Sequence, residues 1–533
     1  MKKKGFINFL VVVVCIVMLV GCSAGDSKKV ETANTGTTDN PPTNKYAETI
    51  KMDWLFRSAH DQDLEHPCIQ DTIMKEKYNV EINWTVLPPS DIYQKVALMA
   101  TSNQMPDFIF FWDGNATLNK IGSEGYLYNV CDLVDKMPNY LKLYPGKDWN
   151  QVVDLRKHSD GGVYFFPQKR PMKSDDSWLY RKDVFDKMNI KYPETADDLY
   201  NAMKELKEMN PNAIIPNKWG WSGLAYGGIL TMHGVQPGSF ISPFTGEFVP
   251  FGVLTQEYRD AIRFANKLYK EEILDPEFIT CSDAQFLEKV ANGNAYLVHY
   301  CPNWDTRLTD QAKKSDPNAK FAYGEFYPQA YPERDVIPYI PTTIGCNFGP
   351  SISTNVKGDA LDRLLDYLDW TCTEEGIRFI TWGIEGFTYE MKDGKPQFKS
   401  NVQVPGVNTT GKLQSAFGIA GMNGNLVWPR EGIKLVYGSD SSFDYGDKIT
   451  ANPKAKPIIG KAIVFTPEVQ SEMADTGTLI WDKIAEYSSK FIINEYDPNN
   501  DSDWDKFINE LKKLNVDAYV EKIQAAYDNS NKK

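Results

Sequence analysis

Five histidines, His60, His66, His158, His233 and His299, are the natural starting point for proton-transfer or metal chemistry, and no two of them form an HExxH pair. The run Gly220-Trp221-Ser222-Gly223-Leu224 approaches a GxSxG nucleophile turn but carries Leu at the fifth place. No phosphate-cradling P-loop and no GxGxxG occurs. With 71 acidic residues, carboxylate pairs of the kind that cleave glycosidic bonds abound, and nothing singles one out. A surface glycan-degrading enzyme therefore stays open beside a non-catalytic binding protein. Stacking chemistry is better supplied: aromatics make up 13% of the chain, with 13 Trp and 28 Tyr, as core residues or as flat faces for sugar rings.

The cysteines carry no metal-site signature. Of eight, Cys15 lies in the N-terminal apolar run and Cys22 just after it, leaving Cys68, Cys131, Cys281, Cys301, Cys346 and Cys372. None is in a CxxC and the spacings do not suggest zinc. An exported chain could pair six cysteines in 15 ways, and buried free thiols are equally open.

Lys2, Lys3 and Lys4 precede the apolar run Phe6 to Val20, which is too short for a comfortable membrane span. Leu19-Val20-Gly21-Cys22 resembles a bacterial lipobox, in which the Cys22 thiol is acylated and the chain is cut before it. Residues 1–21 then form a lipoprotein signal peptide, and 22–49 the lipidated cysteine and a flexible Ser/Thr/Asn/Gly/Pro-rich tether. Losing three lysines and no acid takes the formal charge from −13 to −16. So acidic a body argues against a nucleic-acid groove or a general attraction to anionic lipid.

The elements that position side chains follow from periodicity. Ile50, Met52, Trp54 and Phe56 alternate as a strand, as do Val80, Ile82, Trp84 and Val86. Helical stretches Cys68–Tyr78 and Ser90–Ala100 follow them, and Phe108–Phe111 reads as a buried strand. This order predicts a mainly parallel α/β sheet, whose ligands sit beyond the carboxyl ends of the strands. Arg57, His60 and Asp61 occupy one such end; Trp112, Asp113 and Asn115 occupy another.

The stretch Gly161–Asp183 joins two strand-like runs through Pro167, Lys169, Arg170 and Pro171. It reads as a loop or as a crossing between two lobes, and 533 residues favour the crossing. Beyond it, Thr195 and Asp198 open a helix, Tyr258–Lys270 is amphipathic, Gly293–Val298 reads as a strand, and the tail from Trp504 to Tyr527 is helical.

Taken in order, Cys22, Met105-Pro106-Asp107, Gly161-Gly162-Val163-Tyr164-Phe165-Phe166-Pro167, Tyr180-Arg181-Lys182-Asp183, Trp304, Trp382-Gly383-Ile384-Glu385-Gly386 and Gly394-Lys395-Pro396 form a pattern. It resembles the extracellular solute-binding proteins of ABC importers, in the sugar-binding, maltose-type receptor group (family 1), LipO-like lipoprotein branch. The resemblance covers residues 50–530. It implies a two-lobed periplasmic-binding-protein-like α/β fold of type II, its lobes joined by a hinge with the ligand cleft between them. The N-lobe would take residues 50–168 plus about 341–384, and the C-lobe 169–340 plus about 385–533.

The resemblance also implies a function. The chain would be a lipid-anchored monomer on the extracytoplasmic face of the cell membrane. It would capture an oligosaccharide by lobe closure, without catalysis or cofactor, and deliver it to ABC permease subunits. A peptide or other solute is the alternative ligand. Carried over by position, the stacking candidates are Trp112, Trp219, Trp221, Tyr226 and Trp304, with Trp178 after the crossing. Asp113 and Asn115 either bond ligand hydroxyls or cap a helix. Arg181 either grips a sugar carboxylate bidentately or holds a structural partner. Glu385 and Tyr389 lie near the hinge return. Many relatives carry a calcium-binding D-x-N-G-x-x-x-D-E-I-P loop where this chain reads Asn210-Pro211-Asn212-Ala213-Ile214-Ile215-Pro216. The carboxylates that calcium needs are gone, so no metal site is expected.

Overall fold

The computed structural model describes residues 45–57, 69–87, 91–111, 117–158, 160–174, 176–217, 228–342, 345–399, 425–460, 463, 465 and 467–531. Residues Asn44–Lys533 form one compact unit, within which apolar side chains gather into two main cores.

The first core surrounds a four-stranded sheet. β1 (Ile50–Arg57) runs parallel to β2 (Val80–Leu87) on one side and β3 (Phe108–Phe111) on the other, with Trp54 opposite Trp84 and Phe108. Parallel neighbours need crossovers, supplied by α1 (Ile69–Tyr78) and α2 (Ile92–Thr101). Met52, Trp54 and Phe56 are buried while Lys51 and Asp53 are exposed, as the alternation requires. Leu55 is buried too, because a central parallel strand is covered on both faces. The strand Gly349–Ile352 joins from far along the chain, antiparallel to β3. Gly349 is needed there, since a Cβ would lie 1.7 Å from the carbonyl oxygen of Phe166. The helix Asp359–Trp370 covers the sheet with Leu364, Leu365 and Tyr367, the last 5.8 Å from the Trp54 ring.

The second sheet is antiparallel. β4 (Ser177–Arg181) lies between β5 (Leu297–Tyr300) and β6 (Phe321–Tyr323). β5 starts later than the expected Gly293, because Gly293 has φ +76° and the Asn294 carbonyl accepts from Ile214 N–H instead. α3 (Ala196–Met209) opens with the predicted reciprocal cap: Asp198 N–H donates to Thr195 Oγ1 at 3.1 Å, and Thr195 N–H to Asp198 Oδ2 at 3.0 Å. α4 (Gln256–Lys270) buries Tyr258, Ala261, Ile262, Ala265 and Leu268. α5 (Ser441–Ala451) and the long α6 (Pro467–Ile492) complete this side, with Tyr258 Oη 2.8 Å from Ser488 Oγ.

Among the described residues three stretches link the two cores. Gln168 N–H donates to Phe348 O at 3.3 Å, and Cys346 N–H to Gln168 O at 2.9 Å. Lys169 N–H donates to Leu426 O at 2.8 Å, and Trp428 N–H to Lys169 O at 3.0 Å. The Gly161–Asp183 stretch is thus a crossing, joined by a second near 346–348 and a third near 425–428. The first core also continues beyond 384: Phe398 packs against it, and Leu426 and Val427 belong to it.

Candidate functional site

The described residues place the sequence candidates unevenly. His60, Asp61, Trp112, Asp113, Asn115, Trp219, Trp221 and Tyr226 lie outside them, as does Cys22. Arg57 ends β1, its side chain likewise outside.

Trp304 ends the short turn Pro302–Trp304 and is 6% exposed. Its ring lies 4.1 Å from that of Tyr300, with the Arg307 guanidinium 4.1 Å over it. Trp178 is 1% exposed on β4, between the His299 ring at 5.5 Å and Gly228, where an added Cβ would strike the indole nitrogen at 2.3 Å. Gly228 is therefore what admits the ring.

Of the two roles open to Arg181, the structural partnership is the one formed. Its side chain is 3% exposed and forks onto Asp183 (2.8 and 2.7 Å) and Asp316 (2.7 Å). Although burial opposes it, the Arg181 fork and the Lys320 N–H hold the Asp183 carboxyl below the usual range. Tyr389 is buried with its ring 6.3 Å from Trp382, and Glu385 is exposed at the turn before it. Burial, then Glu385, raises the Tyr389 phenol.

The crossings bring together a set of residues that the sequence reading did not single out. Among the described residues, Asn303 Oδ1, Thr342 Oγ1, both side-chain amide atoms of Asn425 and the Tyr445 hydroxyl are buried without a well-aligned hydrogen bond, as is Trp178 Nε1. They share one seam. The Asn425 carbonyl accepts from the Gln168 amide. Thr342 N–H donates to Lys173 O at 2.8 Å. Tyr445 sits on α5 beside Gly446, whose Cβ would lie 3.1 Å from the backbone nitrogens of Lys173 and Ser174. Asn303 N–H donates to Ser442 Oγ, also on α5, at 3.3 Å. The Tyr445 hydroxyl lies beside that of Ser174, which donates to Ile340 O at 2.7 Å. Burial holds the Tyr445 phenol well above its ordinary value.

Aromatic faces border this seam. Phe348, Trp428 and Phe443 form a small separate cluster with Met172, Cys346 and Ile433. The Arg170 guanidinium lies 4.7 Å over Trp428, and that of Arg430 4.8 Å over Phe443. Neutral amides and hydroxyls, with an indole N–H and flat rings, offer donors, acceptors and apolar faces: the chemistry of a polyhydroxyl solute. Such neutral side chains have no diagnostic spacing, which is why sequence reasoning missed all but Trp178. A groove of about 570 Å³ between α3 and α4 is a separate feature. Its Asp260 carboxylate is already bonded to Tyr331 (2.9 Å) and Arg263 (3.0 Å).

Among the described residues no three His, Cys, Asp or Glu side chains converge as metal ligands. The described histidines hold structural contacts: His233 Nδ1 lies 2.7 Å from Ile229 O, His299 Nε2 2.9 Å from Tyr327 Oη, and His158 Nδ1 3.6 Å from Asp160.

Comparison with known proteins accords with this arrangement. The chain is 24% identical over 428 residues to the lipoprotein LipO of Bacillus subtilis (strain 168), spanning 74% of this chain and 75% of LipO. It is 24% identical over 408 residues to the polygalacturonan/rhamnogalacturonan-binding protein YtcQ of the same organism, spanning 73% and 74%. The crystal structure of the alginate-binding protein AlgQ2 without calcium ion superposes with a TM-score of 0.70 at 18% identity, over 90% of this chain and 98% of that one. The fold is accordingly a two-lobed, type II solute-binding α/β fold with a hinge and an interlobe cleft. With residues 71–406 matching its profile, the chain belongs to the bacterial extracellular solute-binding protein family.

Proposed function

We propose that this protein is a lipid-anchored, non-catalytic receptor that captures an oligosaccharide between its lobes and passes it unchanged to the permease of an ABC importer. Cys22 carries the anchor, and the protein works as a monomer on the extracytoplasmic face of the cell membrane. The first lobe takes residues 50–168 and a return from about 341 that includes Phe398, Leu426 and Val427; the second is built around the other main core.

The observation that carries this reading is the seam of buried, unpartnered neutral groups at the crossings. Each such group left unsatisfied costs about 1–3 kcal/mol, and sugar hydroxyls are both donors and acceptors able to meet them. Relatives named for polygalacturonan, rhamnogalacturonan and alginate support a carbohydrate ligand. The stacking candidates Trp112, Trp219, Trp221, Tyr226 and Trp304, and the strand-end groups Arg57, His60, Asp61, Asp113 and Asn115, complete the proposed cleft. Trp178, Arg181, Glu385 and Tyr389 support its walls.

Titration calorimetry of the full chain in detergent tests it, against neutral and uronate-bearing oligosaccharides with the recovered sugar weighed by mass spectrometry. Saturable binding of unchanged sugar is expected. Cleaved sugar would make the protein an enzyme, and failure to bind any glycan would remove the carbohydrate.

A further inference from the structure

The last turn of α3 contains a cation cage with the cation built in. Lys207 is three residues before the cap Asn210. Its ammonium donates to the backbone carbonyls of Pro211 (3.0 Å), Ala213 (3.4 Å) and Glu272 (3.0 Å). A lysine ammonium has three donors and no acceptor, so the three carbonyls take up its full capacity. The position is favourable electrostatically, because the carbonyl end of a helix carries partial negative charge.

The surrounding bonds show what the cage holds. Asn210 Oδ1 accepts from Asn212 N–H at 3.0 Å, and Ala213 N–H donates to Asn210 O at 2.8 Å, closing the turn. Ile214 N–H donates to Asn294 O at 2.9 Å and Ile215 N–H to Ile273 O at 2.7 Å, laying the turn along two further stretches of the lobe. Glu272, the third carbonyl, is held at φ +55°, a left-handed turn aimed back at the helix end. One ammonium therefore pins three backbone stretches together.

This is the place at which the family resemblance implies calcium, and the donor set does not fit that ion. Calcium takes six to eight oxygens, carboxylates usually among them. Residues 210–216 contain no acid, and the Asn210 side-chain oxygen is already engaged. An ion drawn to the three carbonyls would meet the Lys207 charge on the same spot. We infer that Lys207 is the fixed, protein-supplied cation of this turn, and that the protein holds its fold without a divalent metal ion.

Thermal unfolding of the full chain in detergent tests this, in millimolar calcium and in excess chelator. The wild-type melting temperatures coincide within about 1 °C, a shift too small for a bound, fold-linked ion. Lys207→Met melts about 3–6 °C lower, from the loss of three charge-assisted bonds. Lys191→Met, at an exposed lysine before the same helix, melts as wild type. A wild-type rise of several degrees with calcium, or an unchanged Lys207→Met, overturns the inference. Should Lys207→Met not accumulate as folded protein, equilibrium dialysis of wild type against radioactive calcium decides alone: stoichiometric micromolar binding overturns it, and no binding upholds it.

Discussion

The indole N–H of Trp428 donates to the side-chain carbonyl of Gln168 at 2.9 Å. Gln168 is fully buried, and its amide nitrogen donates to the Asn425 carbonyl while its backbone bonds Phe348 and Cys346. One residue thus contacts all three crossings. Whatever changes the angle between the lobes must bend the chain around this side chain.

Gln168→Leu keeps most of the volume but removes the bonds to Trp428 Nε1 and the Asn425 backbone carbonyl. We expect a loss of roughly 2–4 kcal/mol in urea unfolding, the usual cost of two buried hydrogen bonds removed from one side. A loss below about 0.5 kcal/mol would show that the crossings do not depend on the clip.

Tyr445→Phe separates ligand binding from packing by the sign of its effects. Among the described residues the hydroxyl is buried without a well-aligned hydrogen bond, so removing it leaves stability equal or slightly raised. If the hydroxyl meets the solute, affinity falls about 5- to 20-fold. Calorimetry and urea unfolding on one preparation check both. A variant that loses stability and keeps affinity would mark the hydroxyl as structural.

Acid should weaken the second lobe in a defined window. Burial lowers His233 to about 4, against the partial opposition of Ile229 O, Asp260 and Glu257, and lowers His299, beside Tyr327, to about 3. Both are neutral when folded, whereas the unfolded chain takes up protons below about 6.5. Their stabilisation is complete above that pH and is lost as the pH falls through the folded values, on the order of 3 kcal/mol for each. Denaturation midpoints from pH 7 to 4 test this. His233→Gln should flatten the slope, and an unaltered slope would remove His233 from the account.

Asp275 is fully buried and paired with Lys289 at 2.7 and 2.8 Å; the lysine also reaches Glu277 at 2.8 Å. Asp275→Ala leaves the ammonium with the exposed Glu277 carboxylate and the Cys281 thiol at 3.7 Å. A destabilisation of about 3–5 kcal/mol is expected. A smaller one would mean that Glu277 suffices as the remaining carboxylate, which Glu277→Gln in the same background would then reveal.

Much of the fold was legible because its signals are local. The alternation at Ile50–Phe56, the Thr195–Asp198 cap and the apolar face of Tyr258–Lys270 each act within one element, and each forms as read. The Pro-broken stretch around Pro167 was legible as a crossing. The third crossing at 425–428 was not, because its register comes from Gln168 and Lys169, far away in sequence. The seam was illegible for a related reason. Asn303, Thr342, Asn425 and Tyr445 carry no spacing signal, and only folding brings them to one place. Arg181 shows the converse: its residue type left a ligand fork and a structural partner both open, and only the fold supplies the partners, Asp183 and Asp316.

None of Cys131, Cys281, Cys301, Cys346 and Cys372 is in a disulfide, and three of them are buried. Burial raises the thiol of Cys131, and likewise those of Cys281 and Cys372, so little of the reactive thiolate forms at neutral pH. The described body is therefore held by packing and hydrogen bonds without a single sulfur cross-link. Among the described residues, then, nothing that packs the two cores depends on the redox state of the medium.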